Sequence, residues 1–427
     1  MAQILLKKSS QENKNNNQAN FNWSVLMIIS LSSIVAGLYR DGFAALFPFL
    51  RDDFNLTRAQ LGLHSTFFFF AMVLVIIISG RIVDHKGSRW SLLYGLLFMG
   101  IFLIIHSFVY SYLWLLILAA FTGLVVSISL PAASKGIVEF FPQKWRNMAF
   151  GIRGTAFPFG GMLGSIAFPF MAIMMGWRKT ILLPGILAFL CVFLTLKFYQ
   201  DNGKGKENLK KNRENRLSFW KDFKKLIRNT DLMTISFFGF FLGVTTSAIA
   251  NHFALFLYLD FGFTEHYAGL GFAGVQAGSI VGRLIWGIIC DKFLRSNRSK
   301  TFLYMGFLFT IFSFILAWLG EINPSFTVLF IFAFLVGCTG RGWQGIYPSY
   351  VTETVKEEKI GMGISFSVLF THSGIMIASP IFGYIADLNN SYQLSWILLG
   401  VIMFLASLTQ YIVYINLNTK KENTILD

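Results

Sequence analysis

Charge is scarce in this chain: only 13% of its 427 residues are Asp, Glu, Lys or Arg, against 55% hydrophobic and 17% aromatic residues. A soluble domain carries about 25% charged residues to cover its surface, so the solvent for most of this chain must be lipid. Cysteine is nearly absent. The three thiols, Cys191, Cys290 and Cys338, fall inside apolar stretches, where they pack as small hydrophobes and neither cross-link nor bind zinc. No Walker motif, nucleophile elbow or metal-spaced His/Cys set occurs. Nucleotide-driven pumping, hydrolysis and metal chemistry therefore have no support, the chain is not expected to be an enzyme, and no cofactor is expected. Gly269-Leu-Gly271-Phe-Ala-Gly274 matches the dinucleotide fingerprint, but it follows no strand and opens an apolar run. Residues 1–22 have no apolar core, so no cleavable signal peptide is expected.

Long apolar runs are what the chain has in abundance. A helix rising 1.5 Å per residue needs roughly 20 apolar residues to cross ~30 Å of hydrocarbon. Such runs occur at 24–50, 61–83, 91–109, 112–138, 147–175, 179–199, 231–259, 268–290, 301–320, 325–351, 361–386 and 392–416. Lipid satisfies no backbone hydrogen bond, which excludes open sheets, and blocks such as Phe67-Phe68-Phe69-Phe70 lack the alternation of a barrel strand. The reading is an all-α integral membrane protein of twelve transmembrane helices in two six-helix halves. Its parts are a tail at 1–22, a bundle at 23–200, a basic linker at 201–230, a second bundle at 231–416 and a tail at 417–427.

The formal net charge is +15, and its placement explains it. With the N-terminus inside, the inner loops and tails hold 25 Lys/Arg and the outer loops hold four: Arg51, Arg58, Arg178 and Lys179. This is the positive-inside asymmetry, and it accounts for the basic balance without nucleic acid. Both termini are expected to be cytoplasmic, in the inner (cell) membrane. The linker's first half is too charged to pack, and its second half suits a basic interfacial helix with Leu217, Phe219, Trp220, Phe223 and Leu226 on one side. The two halves echo each other: Gly80-Arg-Ile-Val-Asp84 closes the second span and Gly287-Ile-Ile-Cys-Asp291-Lys292 closes the eighth. Internal repeats of this kind build a central site between two bundles.

Gly80-Arg-Ile-Val-Asp84-His-Lys-Gly87-Ser-Arg89 resembles the loop 2–3 signature of the major facilitator superfamily at Gly80, Asp84, Gly87 and Arg89. It departs at His85 and Ser88, where that family has basic residues. The resemblance runs from Trp23 to Asn416. Arg40-Asp-Gly-Phe-Ala-Ala-Leu-Phe-Pro48, Ala59-Gln-Leu-Gly62 and Asp291-Lys-Phe-Leu-Arg295-Ser-Asn-Arg298 look like the organophosphate:phosphate antiporter and anion:cation symporter branches. The resemblance implies the major facilitator fold, a gating role for Gly80, Asp84, Gly87, Arg89, Gly287 and Asp291, and an anion contact at Arg40. Where those antiporters have a second arginine in the seventh helix, this chain has Thr245 and Thr246.

Ionisable side chains at a helix centre cost roughly 2.5–3.5 kcal/mol each on insertion scales, so each needs a reason. Arg40, Arg153, Arg283 and Arg341 lie within spans, while Arg81 and Lys197 lie near inner ends where their stems can snorkel and Lys135 sits about one turn deeper. Asp41 is the one clearly intramembrane carboxylate, and about 100° of helical rotation makes Arg40 a poor partner for it. The excess of positive charge suggests a cavity for an anion. Arg40 and Arg341, the latter beside Trp343 and Gln344 in a Gly-rich stretch, are the first candidates. Arg283 suits either substrate contact or a bond to helix-end carbonyls, and Arg153 either substrate contact or a bond to Asp41 or a carbonyl. Asn251, His252, Gln276 and His372 are candidates for hydrogen bonds to a solute, although a polar residue of this kind is singly more often interhelical glue. Asp41, with His252 and His372, is a candidate for proton coupling. The expected partners are a small anionic solute such as a carboxylate or phosphate ester, a coupling proton or counter-anion, and the bilayer, with the carrier acting as a monomer. Secondary transport is the leading reading. A non-transporting ligand sensor and a drug or metabolite efflux pump remain the alternatives.

Overall fold

The computed structural model describes residues 23–199, 226–320, 322, 324–355 and 360–426. The tail at 1–22 and the linker up to residue 225, with Leu217, Phe219, Trp220 and Phe223 of the expected interfacial helix, lie outside the described residues, whereas Leu226 is buried. Twelve helices long and apolar enough to cross a membrane are present among those described. In the first half they are α1 (Trp23–Gly42), α2 (Arg58–Lys86), α3 (Ser88–His106), α4 (Tyr112–Phe140), α5 (Gln143–Met175) and α6 (Trp177–Phe198). In the second half they are α7 (Thr230–Asp260), α8 (Glu265–Phe293), α9 (Arg298–Leu319), α10 (Phe326–Glu353), α11 (Ile360–Asn389) and α12 (Gln393–Leu417). Each falls on one of the apolar runs, and several N-terminal ends move outward to a polar cap. Thr57 and Gln60 close a capping box on α2. Asn229 and Asn297 accept from Leu232 N at 3.1 Å and Lys300 N at 2.9 Å to start α7 and α9. Gly87, at φ 87°, reverses the chain between α2 and α3, a conformation that costs a residue with a Cβ.

Several spans are not continuous α-helices, and two of these breaks fall deep within their spans. The run expected at 24–50 is α-helical to Gly37, winds as a π-turn over Leu38–Gly42 and resumes as the helix Phe47–Phe54, with Pro48 at its start. In α10 the α-helix Phe326–Gly340 stops at Arg341, passes through a 3-10 turn at Gly342–Gly345 and restarts at Tyr347. Three glycines in six residues weaken the ladder there.

The repeat is visible in the packing. In the first half α1 lies on α5, α2 on α4 and α3 on α6; in the second α7 lies on α11, α8 on α10 and α9 on α12. Backbone approaches too close for a side chain recur at matching places. A Cβ on Gly123 would lie 2.1 Å from the Phe68 carbonyl in α2, and one on Gly278 would lie 2.0 Å from the Phe334 carbonyl in α10. Gly160, Gly161 and Gly164 let α5 close on α1 in the same way.

The halves meet along α2–α11 and α5–α8, a pair of seams exchanged by the repeat. The first seam is zipped at the end that carries residues 55–57 and 390–392. Asp387 accepts from the backbone N–H of Arg58 at 3.0 Å and of Ala59 at 2.9 Å, capping α2 from the opposite half, and its carboxylate lies 3.5 Å from the Arg58 guanidinium. Gly62 packs on the Ser379 backbone, Gly383 packs on that of Arg58, and Thr66 donates to the Met376 carbonyl at 2.7 Å.

Candidate functional site

Between the halves lies a cavity of about 380 Å³, lined from α1, α2, α3, α4 and α5 on one side and α7, α8, α10 and α11 on the other. Its lining residues all fall on the Gly87 side of the Thr66–Met376 bond, so the zipped end forms its roof. Most of the wall is apolar, with Phe68, Phe69, Met72, Phe157 and Trp343 prominent. Set into it are Arg40, Arg153 and Arg283, with Gln344 and His372. Among the described lining residues there are three arginines and no Asp or Glu.

The nearest counter-charge sits behind the wall. Asp41, fully buried, accepts from Arg40 Nη1 at 2.6 Å through one oxygen, and from Arg341 Nη2 and Gln276 Nε2, both at 2.7 Å, through the other. It thus joins α1 to α8 and α10 of the opposite half. The expectation that helical spacing keeps Arg40 and Asp41 apart is corrected here: residues 38–42 form a π-turn, which rotates less per residue than an α-helix, and the long arginine stem folds back. A Cβ on Gly161 would sit 2.8 Å from the Asp41 Cβ and 2.9 Å from Gln276 Nε2, so α5 closes the cluster from a third side. Arg341 is 1% exposed and does not line the cavity, whereas Arg40 does, with its guanidinium 5.0 Å over the Phe69 ring.

Two of the four guanidinium groups, those of Arg40 and Arg341, therefore share the Asp41 carboxylate, and Arg153 and Arg283 have no ion-pair partner among the described residues. Several of their donors are idle: Arg40 Nη2, Arg283 Nε, and Arg341 Nε and Nη1 are buried without a hydrogen-bond partner, as are Gln276 Oε1 and His372 Nδ1. Arg153 donates to Ser134 Oγ at 2.7 Å and to the Leu130 carbonyl at 3.1 Å, which realises the carbonyl option left open for it. Arg283 reaches across the seam to the Gly154 carbonyl and also donates to Gln344.

The remaining candidates are dispersed. His252 is held between Tyr392 Oη at 3.0 Å and the Ser379 carbonyl at 2.8 Å, and Asn251 donates to Ser247 Oγ at 3.2 Å; neither lines the cavity. Gln276 touches the site only through Asp41. The signature residues lie at the Gly87 end. Asp84 pairs with Lys135 at 3.2 Å, Arg89 donates to the Leu196 carbonyl at 3.0 Å, and Asp291 accepts from Ser296 at 3.3 Å. Gly80 and Gly287 face open space. Lys135, ambiguous by depth alone, is thereby given a partner. Tyr347, Thr371 and Phe69 line the cavity and were not singled out by sequence reasoning, because a hydroxyl or ring on an apolar helix looks the same whether it faces lipid, a neighbour or a cavity. Thr246 also lines it, accepting from Trp343 Nε1 at 3.0 Å, while Thr245 turns to Met403.

Fold, repeat and central cavity together define a membrane transporter, and the family model of the Major Facilitator Superfamily matches residues 29–259 and again 235–425. The chain belongs to that family and is an integral, multi-pass membrane protein. It is 23% identical to the uncharacterized transporter YybO of Bacillus subtilis strain 168, over 90% of this chain and 92% of that one. It is 20% identical to the hexuronate transporter of the same organism, with the same coverage. Among solved structures it resembles a bacterial homolog of the human lysosomal transporter Spinster in an inward-facing, occupied conformation, with a TM-score of 0.73 and 17% identity over 92% of this chain and 96% of that one.

Proposed function

We propose that this protein carries a small organic anion, a carboxylate or phosphate ester, across the inner membrane by alternating access. The observation that supports it most is the cavity between the halves, whose described lining holds three arginines and no carboxylate. A mostly apolar wall raises the value of each charge-assisted hydrogen bond, and a planar guanidinium suits carboxylate and phosphate oxygens. Arg40 from one half and Arg283 from the other line the cavity, so an anion bridging them gains contacts from both bundles. A hexuronate transporter among the relatives agrees with an anionic cargo.

In this reading the zipped seam at Arg58 and Asp387 is the closed external gate, both termini are cytoplasmic, and the Gly87 end opens to the cytoplasm. Asp41 is the coupling candidate. It holds Arg40 and Arg341 from opposite halves, so a proton on Asp41, or an anion that takes Arg40 from it, loosens a contact between the bundles. The carrier works as a monomer. Uptake of labelled anions into proteoliposomes, driven either by an imposed pH gradient or by preloaded counter-anion, tests transport and coupling together. Specific binding with no accumulation under either drive would mean a sensor, and selectivity for uncharged or cationic hydrophobes would mean efflux.

A further inference from the structure

We infer that the cargo's anionic head sits on an apolar, hydroxyl-poor body, an aromatic or alicyclic acid as opposed to a sugar acid. The inference rests on the anion reading above and adds the class of body behind the charge.

The arginines supply donors only. A polyhydroxylated body brings several hydroxyl protons that need acceptors once the cavity closes over them. Carboxylates and amide oxygens serve best. The described lining has no Asp, Glu or Asn, and its one amide, Gln344, has its oxygen taken by Arg283. The remaining polar side chains are His372 and a few hydroxyls whose protons are spent, so that they offer lone pairs alone: Ser32 and Ser33 both donate to Ile29 O, at 2.7 and 3.0 Å, and Tyr347 donates to Ile235 O at 3.1 Å. The Trp343 indole N–H is spent on Thr246. Weak neutral acceptors are thus scattered over a wall that is mostly ring and thioether surface from Phe68, Phe69, Met72, Phe157 and Trp343. Such surface gains by displacing water from a ring and loses when a hydroxyl is pressed against it. A volume of about 380 Å³ accommodates a single six-membered ring with its acid group.

The test uses matched rings. Binding of cyclohexanecarboxylate, benzoate and glucuronate to the purified full-length protein is measured by calorimetry, with benzamide and glucose as uncharged controls. The expected result is that both hydroxyl-free acids bind at least about tenfold more tightly than glucuronate and that the uncharged controls do not bind. Glucuronate binding as tightly as cyclohexanecarboxylate, or more tightly, with the controls still silent, overturns this inference and leaves the anion reading standing. Benzamide binding as well as benzoate overturns the anion reading itself, and this inference with it.

Discussion

Replacing Asp41 by alanine removes the single carboxylate that compensates two arginines from opposite halves. The two are not equally exposed to the loss. Arg40 lines the cavity, its side chain 12% exposed, and water can take over part of its solvation. Arg341 is 1% exposed, already has two idle nitrogens, and would keep none of its ion pairing. Removing one member of a buried pair costs about 3–5 kcal/mol, most of it the desolvated charge left behind, so nearly all of that penalty should fall on Arg341. Asp41→Asn keeps an acceptor for the same donors and should recover a part of it. Thermal unfolding of the purified protein, followed by tryptophan fluorescence, should order the variants as wild type, then Asn, then Ala. A bound anion replaces the missing charge beside Arg40. A ligand at 100 times its dissociation constant stabilises by about 2.7 kcal/mol, and the alanine variant should bind the anion more tightly than wild type because Asp41 no longer competes. If Asp41→Ala melts with wild type, or gains no more than wild type from the anion, then Asp41 neither compensates these arginines nor competes with the cargo.

Arg40→Ala should weaken anion binding by about 10- to 150-fold, as expected for a hydrogen bond to a charged group worth ~1.5–3 kcal/mol, and Arg40→Lys should also lose much of the binding because an ammonium cannot copy the planar fork. Equilibrium binding checks both, and an unchanged affinity in the alanine variant removes Arg40 from the site. Asp387→Ala strips the cap from α2 and the partner of Arg58, so a cysteine placed at Thr66 should react faster with an impermeant thiol reagent added outside; equal rates would show that this seam is not the external gate. Asp84→Asn breaks the Lys135 pair far from the cavity and should slow turnover while leaving affinity near wild type, which transport and binding assays separate. Reporter fusions at 202–216 should be cytoplasmic and those near 110 or 322 external, and an external linker would invert the gate assignment.

The spans were legible because the bilayer imposes a length that shows in one dimension: twelve apolar runs became twelve helices with ends displaced by a few residues toward caps such as Thr57 and Asn229. The repeat was legible from Gly80-x-x-x-Asp84 and Gly287-x-x-x-Asp291, since loops that meet water keep their chemistry visible. The site was legible only as an inventory. Arginine within a span is costly wherever it points, so the four arginines announced themselves, but which of them faces the cavity depends on helix rotation and on partners hundreds of residues away. A helical wheel assumes a fixed rotation per residue, and two of the places where that assumption fails, the π-turn at Leu38–Gly42 and the broken helix at Arg341–Gly345, are where Asp41 meets Arg341.

That coincidence carries a physical consequence. A regular helix satisfies its own backbone and resists local change, whereas a π-turn or a 3-10 break holds fewer well-aligned bonds and rearranges with less loss. Here the two irregular segments come from opposite halves and are tied to each other by one carboxylate. In the proposed mechanism, neutralising or displacing Asp41 would break the ion pair that joins both deformable segments, and the regular helices on either side, which pack along the seams α2–α11 and α5–α8, would carry the change outward. A carrier whose anion site and half-to-half contact share a residue couples occupancy to closure through that residue. On this argument, Arg341→Ala should disturb the coupling more than the binding: affinity for the anion stays within about threefold of wild type, because Arg341 does not line the cavity, while transport falls by about tenfold or more, because the ionic tie across the halves is gone and Asp41 keeps only the neutral Gln276 bond. Equal losses in affinity and transport would instead make Arg341 a direct ligand and return the coupling role to Arg40 alone.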